Sequence, residues 1–322
     1  MPRRKRSWRG LESPRPGRKA WIAAMIAARL PAGRLHLSDG PIDLVVKAEG
    51  EDGEVERAYA AACRRLDGLL AELASELPLL RKRLTAKFPS LKGETARRMA
   101  KAAWPYRATF VTPMVAVAGA VAETVLAAML EASPLRRAYV NDGGDIALHL
   151  AAGEHLDVGV MRSLEAPRPQ AGVRVKAQSS VRGVATSGWR GRSFSLGIAD
   201  AVTVLAPKAA DADAAATLIA NAVDVADPAI LRRAARELDP DSDLLDLQVT
   251  VAVGPLREDK IAAALVAGRR RAEAMVADGL IEGALLSLAG SWESVGLDRR
   301  RIRAISGTEA GPALSAPVSI CG

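Results

Sequence analysis

Ala138-Tyr139-Val140-Asn141-Asp142-Gly143-Gly144-Asp145-Ile146-Ala147-Leu148-His149-Leu150 places a cluster of turn residues between two apolar runs, and so reads as strand, turn and strand. The paired glycines also let a backbone approach a ligand closely, with Asp145 offering a carboxylate; an ordinary turn or bulge explains the same residues. Downstream, Gly153 turns the chain into Leu156-Asp157-Val158-Gly159-Val160, which extends the hairpin pattern. Upstream, the first body element is the strand Ile42-Asp43-Leu44-Val45-Val46. A long helix from Glu54 to about Leu84 follows, with Ala58, Ala61, Ala62, Leu66, Leu69, Leu70 and Leu73 in an i, i+3, i+4 rhythm that Pro78 should end or kink.

Further elements are a basic helix from Lys92 to Ala103, a helix over Val111 to Leu130, and strands over Val181 to Ala185 and Ala201 to Leu205. A helix from Asp211 to Val223, capped by Asp211 or Asp213, a strand from Leu245 to Val253 and a helix from Glu258 to Ala277 stopped by Gly279 complete the pattern. Helices and strands mix without a regular strand-helix-strand alternation, so the expected fold class is α+β.

The chain has 322 residues, of which 49% are hydrophobic and 25% charged, the composition of a folded protein. Aromatic residues are 3%, so the core must be built from Ala, Val and Leu. Cys63 and Cys321 lie far apart with no ligand-spaced partner, which excludes zinc fingers and disulfide scaffolds and suggests a reducing, cytoplasmic compartment. Of the net charge of +8, residues 1–19 carry +7, leaving the body close to neutral. The expected organisation is a disordered basic arm over 1–19, a single α+β domain over 20–303 with two lobes allowed, and a loose tail over 304–322. Without basic strips interleaved with aromatics, the body is not expected to bind nucleic acid.

Two stretches imitate membrane signals. Trp21 to Ala28 is cut off by Arg29, which argues against export, and Val111 to Leu130 contains Pro113, Gly119 and many alanines, so it reads as a buried helix rather than a span. No transmembrane segment is expected.

His36, His149 and His155 show no metal-ligand spacing, and no nucleophile elbow, Walker loop or dinucleotide fingerprint is present. A site must then use carboxylates, hydroxyls and backbone amides. Besides the Gly143-Gly144 segment, Val184-Ala185-Thr186-Ser187-Gly188 brings a strand into hydroxyls and Gly, which suits a phosphate or sugar as well as a plain turn. Asp213 and Thr217 stand one helical turn apart, a carboxylate and hydroxyl suited to Mg2+, although a first-turn acid favoured by the helix dipole is the simpler reading of Asp213.

In this order, Thr112-Pro113-Met114-Val115-Ala116-Val117-Ala118-Gly119-Ala120, Val140 to Ile146, Gly183 to Gly188, Ala199 to Leu205 and Ala212 to Thr217 resemble the ApbE superfamily. The likeness is closest to its uncharacterised branch, with a Gly-Pro-Met-Ala-Ala-Val-Ala-Gly-Ala motif. It covers about Asp43 to Val253 and implies an ApbE-like fold, a mixed and mainly antiparallel sheet packed with helices. It further implies FAD or a related nucleotide bound with Mg2+. Asp213 and Thr217 match the metal pair, with the Ala120 carbonyl as a third ligand; Met114, Gly119, Asn141, Gly143, Gly144, Asp145, Thr186, Ser187, Gly188 and Ser195 match the cofactor site.

Flavin transferases of this superfamily carry a Ser-His-x-x-Asp-Pro segment, where this chain has Ser193-Phe194-Ser195-Leu196-Gly197-Ile198-Ala199-Asp200. With that His missing, standard flavin transfer is not expected. The resemblance leaves two functions: a Mg2+-dependent transferase or hydrolase acting on a nucleotide-like cofactor, with Asp145 or Asp200 as the catalytic candidate, or a binding module that holds flavin or nucleotide without chemistry. Organisms that use tetrahydromethanopterin share this branch, which implies a one-carbon or pterin setting. The expected partner is a small nucleotide or heterocyclic cofactor, and a homo-oligomer is allowed.

Overall fold

Nine strands form one antiparallel sheet in the computed structural model, which describes residues 25–160, 171–297 and 302–304. The chain begins with β1 (Ile26–Leu30), β2 (Arg34–Asp39) and β3 (Ile42–Glu49), then runs through α1 (Asp52–Leu66), α2 (Leu69–Leu80), α3 (Glu94–Ala103) and α4 (Val117–Ala132). Next come β4 (Arg137–Asp142), β5 (Asp145–Leu150), β6 (His155–Val160), β7 (Ala171–Lys176), β8 (Gly183–Ser187), β9 (Ala201–Ala206) and α5 (Ala209–Ala222). β10 (Ile230–Ala234), α6 (Ala235–Leu238), β11 (Gln248–Val253), α7 (Glu258–Ala277), β12 (Gly283–Leu288), β13 (Ser291–Val295) and β14 (Ile302–Ala304) follow.

The large sheet has the order β1-β2-β3-β4-β5-β8-β9-β12-β13; β14-β7-β6 and β10-β11 form two smaller sheets. Every strand pair among the described residues is antiparallel, as expected for an α+β protein. Side-chain alternation sorts the core into two layers. Val140, Ala147, Ala185, Val202, Val204 and Leu286 pack with the helices, whereas Leu148, Leu150, Val184, Leu205 and Leu285 on the opposite face pack with Val158, Val160, Val173 and Val175 of the three-stranded sheet. β9 and β12 are covered on both faces, which is why each reads as a nearly unbroken small or apolar run.

Several boundaries depart from the sequence reading. The expected helix over 54–84 is two helices, broken at Gly68, which adopts a φ of 79°. Pro78 sits within α2, whose helix ends two residues later at Leu80. Two strands precede Ile42: β1 takes up the end of the short apolar stretch at Ala27 and Ala28, and β2 is a half-buried strand with His36 between its two leucines. α4 begins only at Val117, after a 3-10 turn over Pro113–Ala116. Pro113–Ala132 is long and apolar enough to cross a membrane by length and composition alone; α4 is instead packed against α1, α3, α5, β4 and β5. The late strand begins at Gln248, beyond exposed Leu245, and β12 and β13 lie where no element was expected. The expected arm over 1–19 and most of the tail over 304–322 lie outside the described residues.

Candidate functional site

Gly143 and Gly144 form the two-residue link between β4 and β5, both with positive φ (63° and 119°), the conformation of a tight hairpin turn. The Gly144 amide donates to Asn141 Oδ1 at 2.8 Å. The turn makes Asp142 and Asp145 cross-strand partners. Both share the face of Val140 and Ala147, so both carboxylates are directed toward the helices. A side chain at Gly144 would meet nothing within 4 Å, whereas one at Gly143 would come within 3.2 Å of Arg192 Nη1. This tip is therefore open on one side and covered by a guanidinium on the other.

Asp213 enters from α5, which packs on β8, β9 and α4. It is buried, and its Oδ2 accepts the Gly119 amide at 3.0 Å. Neither Asp211 nor Asp213, the two caps expected from the sequence, is the N-cap of α5, which starts at Ala209 after Lys208; the Asp213 carboxylate instead closes the N-terminus of α4. The relation is reciprocal, since Glu123 of α4 accepts the Ala210 amide at the start of α5 at 2.8 Å and pairs with Arg98 at 3.0 Å. Gly119 permits this approach, because a Cβ there would lie 2.3 Å from the Ala209 carbonyl oxygen.

Asp142 acts on Asp213, and both act on Asp145. Burial raises Asp142 to about 7, against the pull of the Asp43 backbone amide and of Arg192. Burial likewise raises Asp213 to about 7, opposed by the Gly119 and Ala118 amides and reinforced by the charge of Asp142. Asp145 is only half-exposed and is pushed well above the ordinary carboxylate range by burial, then by Asp213 and Asp142, with the Thr186 amide and Arg192 opposing. Burial is the first cause in all three, and the anionic neighbours add to it for Asp213 and Asp145. Even so, among the described residues no three His, Cys, Asp or Glu side chains are close enough to hold a metal ion by themselves.

The remaining sequence candidates fall around this centre unevenly. Thr217 lies one turn beyond Asp213 and is half-buried. Ala120 is fully buried and its carbonyl accepts the Thr124 hydroxyl at 2.8 Å. Met114 lies in the 3-10 turn before α4, partly buried against the core. Thr186 shares the face of Val184, and its hydroxyl pairs with Thr203 at 2.9 Å on the side of the sheet away from the helices; Ser187 has the helix-facing register. Gly188 lies against the backbone of Ala199 and Asp200.

Ser195 is buried, its hydroxyl 3.2 Å from Asn221 Oδ1 and accepting the Gly197 amide, while its carbonyl accepts the Thr250 amide. Asp200 accepts the Ala289 amide at 2.6 Å and lies 3.7 Å from Arg190, apart from the three acids. Sequence reasoning passed over Asp142, Glu123 and Arg192. The signal for Asp142 was present, because a two-residue turn puts the residues on either side of it on the same face.

Residues 27–294 match the family described as AbpE bacteria. The chain is also similar to a UPF0280 protein of Methanopyrus kandleri, 35% identical over 217 residues, which are 65% of this chain and 83% of that protein. A UPF0280 protein of Methanosarcina acetivorans is 35% identical over 143 residues, 44% of this chain and 54% of the relative. One from Methanocaldococcus jannaschii is 41% identical over 115 residues, 35% of this chain and 45% of the relative.

Proposed function

The chain belongs to the family described as AbpE bacteria and groups with the UPF0280 proteins, and from that premise we propose that it binds a phosphate-bearing, nucleotide-like cofactor such as FAD together with Mg2+ at the pocket of Asp142, Asp145 and Asp213. The observation that carries this reading is the gathering of three carboxylates, each raised chiefly by burial, beside an open Gly-Gly tip. Beyond the cap that Asp213 gives α4, a protein has little to gain in stability from such a cluster, since burying like charges together is costly.

The donor chemistry fits a hard cation: oxygens from Asp213, Asp142 and the Thr217 hydroxyl, with no soft ligand among them. The Ala120 carbonyl fits less well, being already bonded to Thr124. Because the side chains do not form a cage by themselves, phosphate oxygens and water must complete the shell, so metal and nucleotide bind together. Bound Mg2+ supplies charge neutralisation at a phosphate.

Within this reading the chain belongs to the ApbE superfamily in fold and site, and Asp145 is the residue that exchanges a proton with the substrate, its raised pKa suiting a general acid. Asp200 is the weaker candidate because the Ala289 amide and Arg190 already hold it. Standard transfer of FMN to a hydroxyl finds no His in residues 193–200. The second reading, a binding module without chemistry, draws support from Ser195, whose hydroxyl and carbonyl are both committed to internal hydrogen bonds. Native mass spectrometry of freshly purified protein tests the common element. A flavin or nucleotide adduct lost on unfolding is expected; a ligand-free chain whose melting temperature FAD and ADP with Mg2+ both leave unchanged would overturn it. Mg2+-dependent turnover of FAD would then separate enzyme from module.

A further inference from the structure

The charge of the folded body is near neutral in total but unevenly spread: from Arg81 to Arg107 nine Lys or Arg residues stand against Glu94 alone. The two ends of this segment meet. Arg83, Thr85, Ala86, Pro105 and Arg107 line one solvent-open cavity of about 550 Å³, and the Leu84 amide donates to the Val111 carbonyl beside it. Phe88 and Trp104 touch across the same junction, ring centroids 5.0 Å apart and tilted at 59°, with the Arg107 guanidinium 4.7 Å over the Trp104 ring. Phe88 keeps 37% of its surface exposed. Arg83, Lys87 and Lys101 make no ion pair among the described residues.

We infer that this cavity and the cationic surface around it bind single-stranded nucleic acid, against the sequence expectation that the body has no basic strip interleaved with aromatics. Each element has a counterpart in such a ligand. Unpaired cations track phosphates, an exposed aromatic face stacks a base, and a cavity of this size admits one nucleotide unit. The charge continues past the cavity to Lys87 and Lys101, more than the phosphate of one mononucleotide would need, so a chain of phosphodiesters is the better match. An anionic membrane is the less favoured partner, because Phe88 and Trp104 pack on each other instead of projecting side by side, and Trp104 is half-buried.

The test is fluorescence anisotropy of a labelled 12-nucleotide single-stranded RNA with the full chain over a series of salt concentrations. Parent protein should bind with an affinity that falls as salt rises; the charge reversal R83E/R107E should weaken it at least about tenfold and flatten the salt slope, because phosphate contacts are lost. Phe88→Ala should weaken binding at least about fivefold with the slope kept, which marks stacking rather than charge. Circular dichroism confirms that the variants are folded. Absence of binding by the parent, equal binding by R83E/R107E with the basic residues 1–19 doing the work, or preference for phosphatidylserine vesicles over the RNA would each overturn the inference. Mg2+ and nucleotide binding at Asp213 should be unchanged in R83E/R107E, so the two sites fail or stand separately.

Discussion

The Asp213 carboxylate accepts the Gly119 backbone amide at 3.0 Å, so a side chain from the second turn of α5 closes the N-terminus of α4. With Glu123 returning the same service to α5 through the Ala210 amide, the two helices are locked end to end by an exchange of carboxylates. Asp213 therefore has a structural duty that exists without any ligand.

That duty sets the first prediction. Asp213→Ala leaves amides at the start of α4 without their acceptor and should cost about 1 to 2 kcal/mol, the usual loss for a deleted cap. The cost should be larger at pH 5 than at pH 8, where removing a buried charge offsets part of it. Urea denaturation at both pH values checks this; a cost growing with pH would contradict the assignment.

Gly119→Ala is a second test of the same junction. Its methyl would lie 2.3 Å from the Ala209 carbonyl oxygen, a backbone atom that cannot swing aside. A loss of about 3 kcal/mol or more is expected, at the upper end for overpacking. A change below about 1 kcal/mol would mean that the helices separate more easily than their packing implies.

The raised acids give a pH dependence of definite sign. In the folded chain Asp142 and Asp213 each titrate at about 7, against an ordinary value of 3.8. Between those values the folded state holds more protons than the unfolded one, so without ligand stability should fall as pH rises from about 4 to 7. Asp142→Asn should reduce this fall and raise the melting temperature at pH 8. Melting curves from pH 4.5 to 8.5 decide; a parent curve rising across that window by virtue of these acids would refute the electrostatic picture.

Arg192 is the solvent-side counterweight, lowering both Asp142 and Asp145 while donating to the Pro41 carbonyl at 3.1 Å. Arg192→Gln should therefore enlarge the pH-dependent loss of stability and extend it to higher pH, since the loss starts at the unfolded-state value, which is unchanged, and ends at folded-state values that rise without the guanidinium. Unchanged melting profiles would show that solvent already screens this exposed guanidinium.

Much of the architecture was legible where periodicity and punctuation agreed. Ala138 to Leu150 declared its hairpin through paired glycines, and Glu258 to Ala277 declared both ends of its helix. Leucines continuing in phase on both sides hid the break at Gly68, a single residue with positive φ. β12, Gly-Ala-Leu-Leu-Ser-Leu, escaped notice because a strand covered on both faces lacks alternation. At the site, the spacing of Asp213 and Thr217 was visible in one helix, whereas the contact of Asp213 with Gly119 joins residues 94 positions apart and exists only in the packed chain.

On the function proposed, the acidic cluster takes a divalent cation only alongside a phosphate-bearing nucleotide. Calorimetric titration of Mg2+ into the protein, with and without saturating ADP or FAD, tests it directly, with Asp213→Asn as the control that removes charge but keeps an acceptor for the α4 amides. Heat of binding should appear with nucleotide, be weak or absent without it, and be lost in Asp213→Asn. Equal Mg2+ and nucleotide binding by Asp213→Asn and parent would leave Asp213 as a helix cap and contradict the account.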